Sequence, residues 1–331
     1  MVKENKMKAL VVGYGSIGRR HAMNLLRSDF VDEVIIYTKI KNDLNEHSKK
    51  KISFIDSATT KLNEVCKQCH IDIAIIANET YKHIDSAILL AKEGLDLFIE
   101  KPISHNLEKI DVLCEIVISN KVKIFIGYNM RFLPVLRYIK KYISRGVIGN
   151  LYFAKIEVGQ YLPLWRTNIG YSDSYSSRSE RGGGVALDLS HEVDYMRYIF
   201  GEPLIWKTLK SKASDLEINT EDVFEGLYQY KNGFLCNIHM DYLQNDARRQ
   251  IRIIGSQGRI VCDLIEKWIE VHSAQKEIKL TDEKLFRIED TYIDELNYFL
   301  TMCISNEESY ISMYDGIKTL QLLDDGHDRK E

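Results

Sequence analysis

Neither sign of charge dominates this chain: 45 Lys and Arg stand against 48 Asp and Glu over 331 residues. No global field therefore draws it to nucleic acid or to an anionic membrane. No apolar run approaches the ~20 residues that a membrane helix needs, and residues 1–8 are polar where a signal peptide places its apolar core. The expectation is a cytoplasmic protein with small-molecule partners, no nucleic acid and no membrane. Cysteine is sparse too, with six scattered residues that read as reduced, mostly buried thiols and not as a disulfide framework. The run Cys66-Lys67-Gln68-Cys69-His70 has the spacing of covalent haem attachment, yet it passes from a helical pattern straight into a buried strand, which argues for ordinary structure. No metal site is expected.

The length fits two domains. Residues 7–12 form a continuous apolar run that ends at Gly13-Tyr14-Gly15-Ser16-Ile17-Gly18, and residues 19–26 then follow a helical period. Strand, glycine turn and helix in this order are the context of a dinucleotide site. Gly13 permits the tight turn, Gly15 lets the backbone approach a pyrophosphate, and Gly18 lets helix and strand pack closely. The helix start at Ser16 and Ile17 offers free N–H groups and a positive dipole end. The second strand, 33–37, ends in Tyr37-Thr38-Lys39 with Lys41 nearby and no carboxylate at its tip. Thr38 and Lys39 suit a 2′-phosphate, which tilts an NAD(P) site slightly towards NADP(H).

The alternation goes on with strands at 52–55, 71–77, 95–99 and 122–126 and helices near 60–68, 82–93 and 106–119. This is the pattern of a parallel, doubly wound Rossmann domain, here placed at 1–126. Asn78, Thr80 and His83 follow the fourth strand at the edge that carries the glycines. They line the nicotinamide side of the cofactor, or Thr80 only caps the next helix. The fifth strand ends in Glu100-Lys101-Pro102, which puts an amine at the same edge.

The glycine turn followed by His21, the 78–83 segment and Glu100-Lys101-Pro102, in that order along the chain, resemble the Gfo/Idh/MocA family of NAD(P)-dependent oxidoreductases. The resemblance implies that Glu100 and Lys101 meet the cofactor. It also implies a second domain built on an open sheet used for oligomer contacts, and so a dimer or tetramer.

Residues 127–331 change texture. A helix at 136–143 is followed by alternating runs at 151–160, 205–212, 224–230, 234–241, 251–254, 259–263 and 268–272, with turn signals at Lys231-Asn232-Gly233 and at 255–258. The expectation is an α+β domain with a large, mainly antiparallel sheet. Between the strands, Gly182-Gly183-Gly184 opens a stretch of helical spacing that runs to Phe200 and Gly201 and puts Asp188 and His191 on one helix face. It resembles the family's second motif of Gly-Gly, Asp and His, although many members space the Asp and His by four residues and here the spacing is three. The stretch from Leu187 to His191, together with Tyr161-Leu162-Pro163-Leu164-Trp165-Arg166, resembles a subgroup that handles sugars of nine-carbon-acid pathways.

The reaction expected from the resemblance is hydride transfer between nicotinamide and a secondary alcohol or ketone carbon of a sugar, sugar acid or nucleotide sugar. An imidazole titrates near ~6.5 and a lysine near ~10.4, so His191 is the better general acid/base and Lys101 the donor to the reacting oxygen. Asp188 would orient both substrate and His191. Asn129, Arg131, Trp165, Arg166 and Tyr171 are the candidates for substrate binding. Two alternatives remain: a family reductase with a non-sugar substrate, and a catalytically silent NADP-sensing regulator.

Overall fold

The computed structural model of the protein describes residues 6–39, 51–165, 170–274, 277–305 and 309–324. Lys41 and Arg166 lie outside the described residues. The chain divides into two compact units, one made of Met1–Gly127 and Tyr292–Ile317, the other of Tyr128–Thr291 and Lys318–Glu331. A single crossing after residue 126 was expected. Instead the chain returns to the first unit at Tyr292, inside the helix Ile288–Ile304, and leaves it again inside the helix Met313–Leu322.

The first unit is built on six parallel strands: β1 (Met7–Val12), β2 (Val31–Thr38), β3 (Lys51–Asp56), β4 (Ile73–Ile76), β5 (Asp96–Ile99) and β6 (Ile124–Ile126). Their order is β3-β2-β1-β4-β5-β6, the doubly wound arrangement that reverses between β1 and β4. The helices α1 (Ser16–Arg27), α2 (Leu62–Cys69), α3 (His83–Lys92) and α4 (Ile110–Asn120) connect them. β4 is buried at every position because helices cover both faces of such a sheet, so its sequence does not alternate. Helix α4 starts four residues later than its periodicity predicts. The Asn106 side chain accepts a hydrogen bond from the Glu108 N–H at 3.0 Å and holds a turn there. Cys66, on α2, is buried, and burial pushes its thiol up to about 11, as befits an inert core thiol.

The second unit opens with α5 (Pro134–Ser144), which has its proline at the helix start, where no N–H is needed. The short α6 (Val185–Asp188) and α7 (His191–Phe200) follow β7 (Leu151–Gly159). The remaining strands are β8 (Ile205–Ser211), β9 (Val223–Gln229), β10 (Leu235–Asp241), β11 (Arg248–Gly255), β12 (Gly258–Asp263), β13 (Trp268–Ser273) and β14 (Glu277–Leu280), which the sequence reading did not foresee. They form one eight-stranded sheet in the order β14-β13-β12-β11-β7-β10-β9-β8, antiparallel throughout except for the β10–β7 pair. Helices α8 (Ile288–Ile304) and α9 (Met313–Leu322) are the last helices of the described residues.

Asp188 and His191 do not share one continuous helix. Leu189 leaves helical geometry at φ −102° and ψ 24°, so α6 ends at Asp188 and α7 begins at His191. The glycines before them are a packing requirement. A Cβ on Gly183 would stand 2.3 Å from the Tyr175 carbonyl oxygen, and Gly184 adopts φ +115° against the Glu221 carboxylate.

Candidate active site

In the first unit the carboxyl ends of β1, β4 and β5 are level, since Val12 pairs with Ile76 and Ile76 with Ile99. The residues just beyond them meet at one edge. Gly13 stands at φ +95°, and a Cβ there would lie 2.7 Å from the Ala77 carbonyl oxygen and the Asn78 backbone. A Cβ on Gly18 would lie 2.2 Å from the Gly13 carbonyl oxygen. Gly15 differs: a Cβ added to it would meet nothing within 4 Å. It is the N-cap of α1, which has no side-chain cap and no acid in its first turn. An open glycine backbone beside an uncapped positive helix end is what a dinucleotide pyrophosphate requires, so the residues fit that group.

The other residues of this edge have divided duties. Thr38 ends β2 and Lys39 follows it, exposed. Asp56, the register partner of Thr38 on β3, accepts from the Ala58 N–H at 2.8 Å. Asn78 donates to the Ser86 hydroxyl at 2.9 Å. Thr80 begins a short 3-10 turn and caps no helix. His83 is fully buried, with Nδ1 2.8 Å from the Pro102 carbonyl and Nε2 3.1 Å from the Asn78 carbonyl. Burial lowers its pKa. It braces the turn after β4 against the turn after β5. Glu100 is also turned inward, accepting from His21 Nε2 at 2.7 Å and from the Lys101 N–H at 3.3 Å. Lys101 is half-buried at the end of β5.

In the second unit the Tyr242 hydroxyl donates to Asp188 Oδ2 at 2.7 Å, and the Trp165 ring stands edge-on to Tyr242 at 5.2 Å. The Trp165 indole N–H is buried and has no hydrogen-bond partner among the described residues. Glu221 lies close to Asp188, and burial raises its pKa. His191, at the first position of α7, packs edge-on against the Tyr128 ring at 5.7 Å. Tyr171 accepts from the Glu217 N–H at 3.3 Å.

Two further substrate candidates also have internal partners. Asn129 donates to Thr291 Oγ1 at 2.8 Å. Arg131 is 4% exposed, and its fork grips Asp194 through Nε at 2.8 Å and Nη2 at 2.7 Å. Arg131 is thus held in a buried bidentate pair within the unit.

A family model described as an oxidoreductase family with an NAD-binding Rossmann fold matches residues 7–128, and one described as the GFO/IDH/MocA C-terminal domain matches residues 136–261. The chain belongs to the GFO/IDH/MocA oxidoreductases. It is 27% identical to the myo-inositol 2-dehydrogenase of Thermotoga maritima, across 96% of this chain and 94% of that one. It is also 27% identical to the scyllo-inositol 2-dehydrogenase (NAD(+)) of Bacillus subtilis, across 60% of this chain and 55% of that one. The solved myo-inositol 2-dehydrogenase of Lactobacillus plantarum shares the fold, with a TM-score of 0.79 at 19% identity over 96% of this chain and 95% of that one.

This member of the family is therefore an NAD(P)-dependent oxidoreductase, and no helix among its described residues is long and apolar enough to cross a membrane. Sequence reasoning missed Tyr242, which ties Trp165 to Asp188. It follows the end of β10, 54 residues beyond Asp188, and carries no local signal of its partner.

Proposed function

We propose that this oxidoreductase interconverts a secondary alcohol and a ketone on a cyclic polyol or sugar, with His191 and Lys101 both taking part. The observation that carries the proposal is the glycine cradle: Gly15 faces open space at an uncapped helix start, and Lys101 stands at the same strand-end edge. A bound nicotinamide dinucleotide would supply the hydride chemistry. His191 takes the hydroxyl proton in oxidation and returns it in reduction. Lys101 donates a hydrogen bond to the reacting oxygen and stabilises its developing charge. Asp188, fixed by Tyr242, orients a substrate hydroxyl, and Trp165 offers an aromatic face and a buried N–H that needs an acceptor. The inositol dehydrogenase names of the relatives support a cyclic polyol.

Lys39, exposed just past the tip of β2, favours NADP(H) through its charge on a 2′-phosphate. Replacing it by Ala should lower kcat/KM with NADP(H) relative to NAD(H), and an unchanged ratio refutes the preference. The apolar side chains on the outer strands β8 and β9, Ile205, Leu209 and Leu227, are exposed and support a homo-oligomer formed through this sheet, which light scattering tests.

The reaction itself is tested by titrating nicotinamide fluorescence, followed by a screen of inositols, sugars, sugar acids and nucleotide sugars. Lys101→Met and His191→Asn should each keep folding and cofactor binding while lowering kcat by about 100-fold or more. Near-normal turnover in both variants sinks the assignment.

A further inference from the structure

Helix α8 carries an acid where its buried stripe calls for an apolar residue. That stripe runs through Thr291, Glu295, Leu296, Phe299 and Leu300, and Glu295 is 0% exposed. Both of its carboxyl oxygens are buried and have no hydrogen-bond partner among the described residues, which native structures avoid unless a proton or a ligand satisfies the group. One oxygen of Glu295, one of Glu100 and a ring nitrogen of His21 lie within 4.8 Å of one another. All three belong to the first unit, on α8, at the end of β5 and on α1. Their surroundings are aromatic: the His21 ring packs on Phe98 at 4.8 Å, and Phe98 on Phe299 at 5.6 Å.

Two carboxyl groups this close in so apolar a place do not both ionise. The donors distinguish the two. Glu100 accepts from His21 and from the Lys101 N–H, whereas Glu295 accepts from no described group. A carboxylate oxygen can only accept, so His21 donates to Glu100 from Nε2. Arg20 is the cation that bears on Glu295 and opposes protonation. Burial first, then the charge on Glu100, outweighs it and holds the Glu295 pKa well above the usual carboxylic range. Lys101 and His83 are the other titratable neighbours of Glu100.

We propose that Glu295 and Glu100 keep one proton between them in the folded protein, with Glu295 as the neutral acid, and that Glu295 acts through Glu100 as a positioning residue for Lys101. The shared proton is independent of the reaction; the positioning rests on the role given to Lys101 above.

A glutamic acid in the unfolded chain titrates near ~4.3, so above that pH folding takes up one proton at Glu295. Because the folded pKa is raised, this contribution is fully present below ~4.3 and is lost as pH rises towards the folded value. Glu295→Gln is neutral at every pH. Above pH ~4.3 the folding constant of the natural protein should therefore fall with rising pH relative to Glu295→Gln, by up to about tenfold per pH unit for as long as the folded acid stays protonated. In the folded proteins at neutral pH, difference infrared spectroscopy should show the carbonyl band of a protonated carboxylic acid that Glu295→Gln lacks. Glu295→Gln should keep kcat within about twofold, and Glu295→Ala should lose about tenfold or more at unchanged nicotinamide affinity.

Parallel pH curves together with a missing infrared band overturn the shared proton. So does one equivalent of divalent metal in the purified protein that Glu295→Gln lacks, which would give the three groups to a cation. An infrared band with full turnover in Glu295→Ala overturns the positioning alone. Normal turnover in Lys101→Met strikes the proposed reaction and leaves the infrared result standing.

Discussion

Gly15→Ala separates dinucleotide binding from folding. The added methyl meets nothing within 4 Å in the protein itself, and Gly15 has φ −73°, which alanine adopts without strain. Stability should stay within about 0.5 kcal/mol or rise slightly, because alanine restricts the unfolded chain. In the proposed placement the same methyl would occupy the space through which a pyrophosphate reaches the start of α1. Losing one charge-assisted hydrogen bond there is worth about 1.5–3 kcal/mol, which is roughly a tenfold to hundredfold rise in Kd. Gly18→Ala is the contrasting variant. Its methyl would stand 2.2 Å from the Gly13 carbonyl oxygen, so the backbone must move and the first unit loses about 1–3 kcal/mol. Thermal melts by circular dichroism and nicotinamide fluorescence titrations measure the two effects. A Gly15→Ala protein that folds normally and binds within about twofold of the natural affinity would refute the placement of the pyrophosphate.

Asp194→Ala leaves Arg131 buried and charged without its bidentate partner, while Arg197 keeps Glu202. We expect a loss of about 3–5 kcal/mol, and a much smaller loss when Arg131→Met is added. All three tryptophans, Trp165, Trp206 and Trp268, lie in the second unit, so tryptophan fluorescence during denaturation reports on that unit alone. His239 on β10 lies 2.6 Å from Glu225 and 2.9 Å from Asp241. The bond to Asp241 first, then Glu225, outweighs burial and raises its pKa to about 9. The stabilisation is fully present below pH ~6.5 and is lost as pH rises through about 9. His239→Gln should flatten that decline in fluorescence-monitored stability, and an identical pH profile contradicts the clamp.

Local patterns carried much of this protein. The strand, glycine turn and helix at residues 7–27 are legible because backbone sterics allow few ways to reverse a chain onto a parallel sheet. The all-apolar β4 and the hairpin at Asn232-Gly233 follow from burial and turn chemistry over a few residues. Lys101 could be singled out because the motif places it directly at a strand end. Sequence reading erred where a side chain's role depends on a distant partner. Helical spacing put Asp188 and His191 on one face, but packing of the preceding glycines against Tyr175 and Glu221 accompanies a break at Leu189. Arg131, His83 and Glu100 read as ligand-facing groups from local position alone, and no local pattern announced their internal partners Asp194, Pro102 and His21.

The sequence by itself determined the cofactor class, because a dinucleotide turn is a contiguous device whose spacing is its function. Only the tertiary structure decided which polar residues are available to a ligand. A buried donor or acceptor must find a partner, and Tyr242 for Asp188, Asp194 for Arg131 and Glu100 beside Glu295 come from elements 54, 63 and 195 residues away, beyond the reach of any local pattern.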